Sequence, residues 1–166
     1  MADSQITPGY TFRQILTDRA PAALAWVRGG SMFPAISGLV KFFQTPYSGI
    51  LIEAEFFNLP NISVPGSSNF YAMHIHEYGN CSDSFMKAGG HFGATGSLHP
   101  NHAGDLPPLL ANQGYAWMSF YDKRFTIENI LGRSVIIHRN PDDFHTQPSG
   151  NSGPMIACGV IRPYTQ

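Results

Sequence analysis

Seven histidines sit in a chain of 166 residues that carries only ten Lys and Arg and eleven Asp and Glu. Imidazole is therefore a large part of its coordinating chemistry. His74-Ile75-His76 lies in the run FYAMHIHE, which reads as a strand. Side chains two apart on a strand leave the same face, so both imidazoles point one way. Tyr71, Met73 and Ile75 then point the other way, into a core. Such a pair is either half of a metal site or two solvated surface histidines. Further along, His91-x7-His99-x2-His102-x2-Asp105 gathers three imidazoles and a carboxylate within 15 residues. His99-Pro100-Asn101-His102 has the composition of a turn, which would bring its two rings to one side. Three neutral imidazoles and one carboxylate make a closed tetrahedral set suited to Zn²⁺, structural rather than hydrolytic because no position stays open. The competing reading is a polar loop that happens to hold histidine.

His138 closes the run SVIIH, and alone a histidine at a strand end is more often a surface residue than a ligand. Its company changes its standing. If His74 and His76 need further ligands, His91 and His138 complete four imidazoles with no carboxylate, a set that suits copper. His91 would then be shared between copper and zinc. His145 is left without a role and reads as an exposed loop residue.

Elements must hold these groups in place. Short β-type runs begin at Ala23: Ala23–Arg28, Ile36–Phe43, Gly49–Phe57, Phe70–Glu77, Tyr115–Tyr121, Arg133–His138 and Met155–Ile161. Leu106–Asn112 is a weaker eighth, since Pro107 and Pro108 restrict it to an edge or a strand start. Seventeen glycines and thirteen prolines are too much punctuation for a helical bundle. Short strands without a strong helix between them predict an all-β antiparallel sandwich or barrel. Tyr10 to Arg19 predicts one short helix before Pro21. Residues 1–22 read as an N-terminal extension and 23–166 as one domain. The stretch from Tyr78 to Asp105 is a 28-residue loop with six glycines, and a loop that long in a compact domain is usually functional or disordered. It also holds Cys81 and the whole second group, His91, His99, His102 and Asp105, which favours order imposed by metal. A net charge of -1 argues against nucleic acid, no apolar run is long enough to span a membrane, and the N-terminus lacks an export pattern, so a cytoplasmic location is expected.

The segments HIHEYGNCSD, GGHFGATGSLHPNHAGDLPPL, GRSVIIHRNPDD and SGNSG with IACGVI resemble the copper–zinc superoxide dismutase family, in the family's order, over about residues 23–162. The resemblance implies an eight-stranded antiparallel Greek-key barrel with two long functional loops, copper and zinc as cofactors, and the antioxidant conversion of superoxide to dioxygen and hydrogen peroxide. It implies His74, His76, His91 and His138 as copper ligands, and His91, His99, His102 and Asp105 as zinc ligands. His91 would bridge the two metals and take up a proton when copper is reduced. Asp142 is implied as the outer carboxylate linking His76 to His99, a role that fixes tautomer and ring orientation. The resemblance pairs Cys81 with Cys158; the alternative is two buried thiols. Family members are often dimers, and the apolar strands allow a homodimer here.

Two departures stand out. Where the family places an anion-guiding arginine, three residues before the last cysteine, this chain has Met155. A thioether docks no anion, so slower dismutation with a weak salt dependence is expected; Lys87 and Lys123 are the remaining candidates for steering. Methionine is also a soft ligand for Cu(I), and a non-enzymatic copper-binding or copper-storage protein on the same fold is the alternative function. The second departure is the spacing of His99 and His102, which is shorter than the family's common arrangement.

Overall fold

The computed structural model describes residues 7–60 and 68–165. Among the described residues there are nine strand segments: β1 (Ala23–Gly29), β2 (Ser37–Gln44), β3 (Ile50–Phe57), β4 (Phe70–Tyr71), β5 (Met73–His76), β6 (Leu109–Leu110), β7 (Ala116–Asp122), β8 (Ser134–His138) and β9 (Met155–Pro163). All pairings are antiparallel, and the larger sheet runs β5-β8-β9-β1-β2-β3-β7, with β4 and β6 as a separate pair. Neighbours that are distant in sequence, β1 beside β9 and β3 beside β7, give the crossovers of the expected Greek-key barrel.

Each of the eight expected strands is present, and one is divided. The run Phe70–Glu77 breaks at Ala72, whose N–H donates to the Asn140 carbonyl and whose carbonyl accepts from the His138 N–H, both at 2.9 Å. The chain turns a corner there, so β4 joins one sheet and β5 the other. Alternation fills the core: Ala23, Ala25 and Val27 from β1, Val40 and Phe42 from β2, and Ile52, Ala54 and Phe56 from β3 are buried together. Burial at roughly 25 cal/mol per Å² of apolar surface is what holds these strands against chain entropy.

The expected helix is present as α1 (Pro8–Asp18), with Pro8 in the first turn, where its missing N–H costs nothing. Its Ile15 is buried against Phe43 and Leu51, and Phe12 stacks on Tyr121 at 5.1 Å between ring centroids. The outer face of β2 and β3 is thereby covered. A four-residue helix, α2 (Ile127–Ile130), was not foreshadowed by any apolar period; the reciprocal cap between Thr126 and Asn129 starts it. No described helix is long and apolar enough to cross a membrane.

Candidate metal centre

Strand β5 carries the first two histidines, and all four of its residues are buried. The solvated-pair reading fails because the long loop folds back over the strand's exposed side. The Phe92 N–H donates to the Ile75 carbonyl at 2.8 Å, and the Ile75 N–H donates to the Gly104 carbonyl at 2.9 Å. This clamp sets His91 opposite His76 and Asp105 opposite His74. A Cβ on Gly104 would lie 2.3 Å from the Ile75 carbonyl oxygen, so only glycine lets the loop approach so closely. His138 arrives from β8, where a register shift after Ile137 pairs it with Met155.

His74, His76 and His138 each have one ring nitrogen fixed by a partner and the other turned inward. The His74 Nε2–H donates to Asp142 Oδ2 at 2.8 Å, the His76 Nδ1–H to the Gly89 carbonyl at 2.8 Å, and the His138 Nδ1–H to the Gly153 carbonyl at 3.1 Å. That leaves His74 Nδ1, His76 Nε2, His91 Nε2 and His138 Nε2 facing one another, the second and fourth 3.3 Å apart. On the other side of His91, Nδ1 lies 2.6 Å from Asp105 Oδ1, while His99 Nδ1 and His102 Nδ1 lie 3.1 and 3.2 Å from Asp105 Oδ2. The ligand atoms within each group lie within 4.8 Å of one another, and His91 belongs to both groups.

The donor set fits metal better than it fits itself. His74 Nδ1, His91 Nε2, His99 Nδ1 and His102 Nδ1 are buried with no hydrogen-bond partner. An unsatisfied buried polar atom costs about 1–3 kcal/mol, so four in one place call for a ligand. One group is all imidazole, which suits copper, and the other is three imidazoles and a carboxylate, the closed set that zinc takes.

Electrostatics keep the rings available. Burial lowers the pKa of His76 to about 3, helped by repulsion from His91, and burial likewise pushes His138 well below the ordinary histidine value. Burial also lowers His74, against the opposing pull of Asp142, so this contact is a neutral imidazole donating to a carboxylate rather than an ion pair. Burial would raise Asp105 and Asp142, but hydrogen bonds from His91 to the first, and from His74, the Phe144 N–H and His99 to the second, hold both below the usual carboxylate value.

Asp142 corrects one expectation. It joins His99, through Nε2 at 2.8 Å, to His74 and not to His76. His74 is the member of the β5 pair that lies beside Asp105 and the zinc-type loop, whereas His76 lies towards Gly89 and spends its Nδ1 there. Cys81 and Cys158 are disulfide-bonded, with Cα atoms 5.7 Å apart, which ties the start of the long loop to β9. His145 is exposed, with its backbone N–H donating to Asp143 Oδ1 and its ring Nδ1–H to the Asp143 carbonyl.

Three further residues position the ligand candidates. Gly150 leaves room for Asp142, since a Cβ there would lie 2.0 Å from Oδ1. Gln147 grips the backbone of His99, accepting from its N–H at 3.0 Å and donating to its carbonyl at 2.7 Å. Arg124, paired with Asp122, donates to the carbonyls of His102 and Asp105 at 3.0 and 2.6 Å and so moors the zinc-type loop to the end of β7. Gln147 and Arg124 act over long sequence separations, which no local pattern reports.

A cavity of about 850 Å³ opens over the all-imidazole group. His76, His91 and His138 form its floor, and Met32, Phe33, Phe85, Met86, Leu98 and Met155 contribute to its walls. Among the described residues none of those lining it is Lys, Arg, Asp or Glu, so neither Lys87 nor Lys123 reaches it.

The family model for copper/zinc superoxide dismutase matches residues 36–161, which include every ligand of both groups. The chain belongs to the copper/zinc superoxide dismutase family. A superoxide dismutase [Cu-Zn] from Caulobacter vibrioides is 35% identical over 159 residues, covering 85% of this chain and 86% of that protein. The extracellular superoxide dismutase [Cu-Zn] of Rattus norvegicus is 33% identical over 137 residues, covering 77% of this chain; the chain spans only 55% of that protein's length. The copper chaperone for superoxide dismutase from Rattus norvegicus is 29% identical over 153 residues, covering 84% of this chain and 52% of that protein. Among solved structures, the clock protein EA4 matches with a TM-score of 0.73 at 26% identity, covering 87% of this chain and 96% of that one. The two donor sets of this family member accordingly suit copper and zinc.

Proposed function

We propose that the protein is a superoxide dismutase, with copper held by His74, His76, His91 and His138 and zinc held by His91, His99, His102 and Asp105. The observation that carries this reading is His91, which faces Asp105 through Nδ1 while its Nε2 is unpartnered in the floor of an open cavity. Copper bound there supplies one-electron chemistry, so that two superoxide anions and two protons become one dioxygen and one hydrogen peroxide. The chain's own part is positioning and proton handling. His91 Nε2 is the nitrogen that can take a proton and pass it to the departing peroxide. The Asp105 side holds the ring by its other nitrogen meanwhile. Asp142 keeps His74 and His99 in register across the two groups, and the carbonyls of Gly89 and Gly153 fix the tautomers of His76 and His138.

Met155 stands at the cavity wall beside His138, its partner across β8 and β9, and no lining residue carries a positive charge. Charge focusing of a small anion raises on-rates by about 10 to 10³, so this mouth supports slower turnover with little response to salt. The copper chaperone relative and the thioether at the mouth favour a second reading, a protein that holds copper without turnover. A dismutation assay on protein loaded with one copper and one zinc separates the two. Acceleration far above the spontaneous reaction supports the enzyme; full occupancy with no acceleration supports copper holding.

A further inference from the structure

We infer that Met32, Met86 and Met155 form a soft acquisition site that receives Cu(I) at the cavity mouth before it reaches the four imidazoles. This rests on the copper reading of those imidazoles and adds a second, outer metal position. Three of the chain's six methionines line this one cavity. Two of them are conspicuously wet, Met32 at 73% and Met86 at 67% exposure, where neither contributes to a buried cluster.

The three residues come from separate segments that meet at one point. The Gly30 N–H donates to the Ile156 carbonyl at 2.9 Å, which brings the turn carrying Met32 against the start of β9 and its Met155. A Cβ on Gly30 would lie 2.9 Å from the ring of Phe85, so the same turn also abuts the segment carrying Met86. Each methionine is thus one or two residues from a shared contact. Phe85 itself packs with Cys158 and the disulfide partner Cys81, which fixes that side of the mouth.

The chemistry of the wall is selective. Thioether sulfur is neutral and polarisable and favours Cu(I), whereas Zn²⁺ and Cu(II) prefer imidazole, carboxylate or water. No carboxylate lines the mouth, so a hard cation meets only neutral hydroxyl, amide and carbonyl oxygens before the histidine floor. The unbranched methionine side chain reorients cheaply, which suits a site that must release its ion inward.

The test uses zinc-loaded protein titrated anaerobically with Cu(I) supplied as its bicinchoninate complex, read by competition and by X-ray absorption. The first equivalent is expected to show nitrogen neighbours, and a second, weaker equivalent sulfur neighbours. Met32→Leu with Met86→Leu, two exposed changes that keep apolar volume, should weaken the second equivalent tenfold or more and slow uptake of the first. Absence of a second equivalent, a second equivalent with nitrogen or oxygen neighbours only, or one unmoved by the double variant would each overturn the inference. Failure of the first equivalent to bind at the imidazoles would instead remove the copper reading on which it rests.

Discussion

Gly150 and Asp142 are packed so closely that a methyl group on the glycine would fall 2.0 Å from the carboxylate oxygen and 2.7 Å from His99 Nε2. Asp142 hydrogen-bonds His74 of one donor group and His99 of the other, so a side chain that joins the two groups is held in place by a residue with no side chain. Gly150 also has a φ of +67°, which an L side chain adopts only under strain. Gly150→Ala should therefore weaken both metals by about 10- to 100-fold, the usual effect of disturbing an outer carboxylate. Gly132→Ala is the control. Its φ is +78° but its Cβ would meet nothing within 4 Å, so it should lower stability by about 1 kcal/mol and leave metal affinity unchanged. Chelator competition and thermal unfolding of the two variants check this.

Arg124 should be a zinc-loop residue in function although it touches no ligand side chain. It holds the His102 and Asp105 carbonyls from the far end of β7. Arg124→Met keeps the stem but removes the fork. Zinc dissociation is expected to accelerate several-fold, with copper retention little changed, as chelator-capture kinetics of each metal would show. Equal loss of both metals would assign Arg124 to general stability instead.

Acid should destabilise the metal-free protein before the carboxylates titrate. His76 has a pKa of about 3 in the fold against about 6.5 unfolded, so the unfolded chain binds the extra proton throughout that window. Stability then rises with pH between about 3 and 6.5 and is lost as pH falls, by up to about 1.4 kcal/mol per pH unit for each such histidine. His138 acts with the same sign. Asp105 and Asp142, held below their ordinary value, add a further loss only at more acid pH. Urea unfolding at a series of pH values gives the slope, and a flat profile from pH 6.5 to 4 would contradict it.

Removing the Cys81–Cys158 bond, which closes a separation of 77 residues, should cost roughly 4 to 4.5 kcal/mol on the chain-entropy model. The loop that loses its tether also carries Gly89, whose carbonyl fixes His76. The variant Cys81→Ala with Cys158→Ala should lower the denaturation midpoint and raise hydrogen exchange over residues 82–90. An unchanged exchange pattern would mean that the loop is held by the Ile75 clamp alone.

Met155→Arg should raise the dismutation rate of fully loaded protein and give it a salt dependence that the parent lacks, because it would put the one positive charge at the mouth. Rates measured between low and high ionic strength read both effects. A lower rate, at full copper occupancy, would show that the thioether has a role a cation cannot fill.

The two histidine groups were legible because their geometry is local. Two histidines on one strand face and two on one turn declare themselves through short periodicities, and a strand-ending His138 needed only their company. What depends on how the long loop crosses β5 was not legible. Whether Asp142 meets His74 or His76 follows from which of them lies beside Asp105, a fact of tertiary packing. The break at Ala72 is of the same kind, since its partners Asn140 and His138 lie more than 60 residues away. Arg124 and Gln147 look like ordinary surface residues until the carbonyls they hold are known.

Whether one imidazole serves two metals is tested by His91→Ala, with copper and zinc affinities measured on the same preparation. Both should fall together, because His91 Nδ1 faces the zinc-type set and Nε2 the copper-type set. Loss of one metal with the other's affinity unchanged would contradict it.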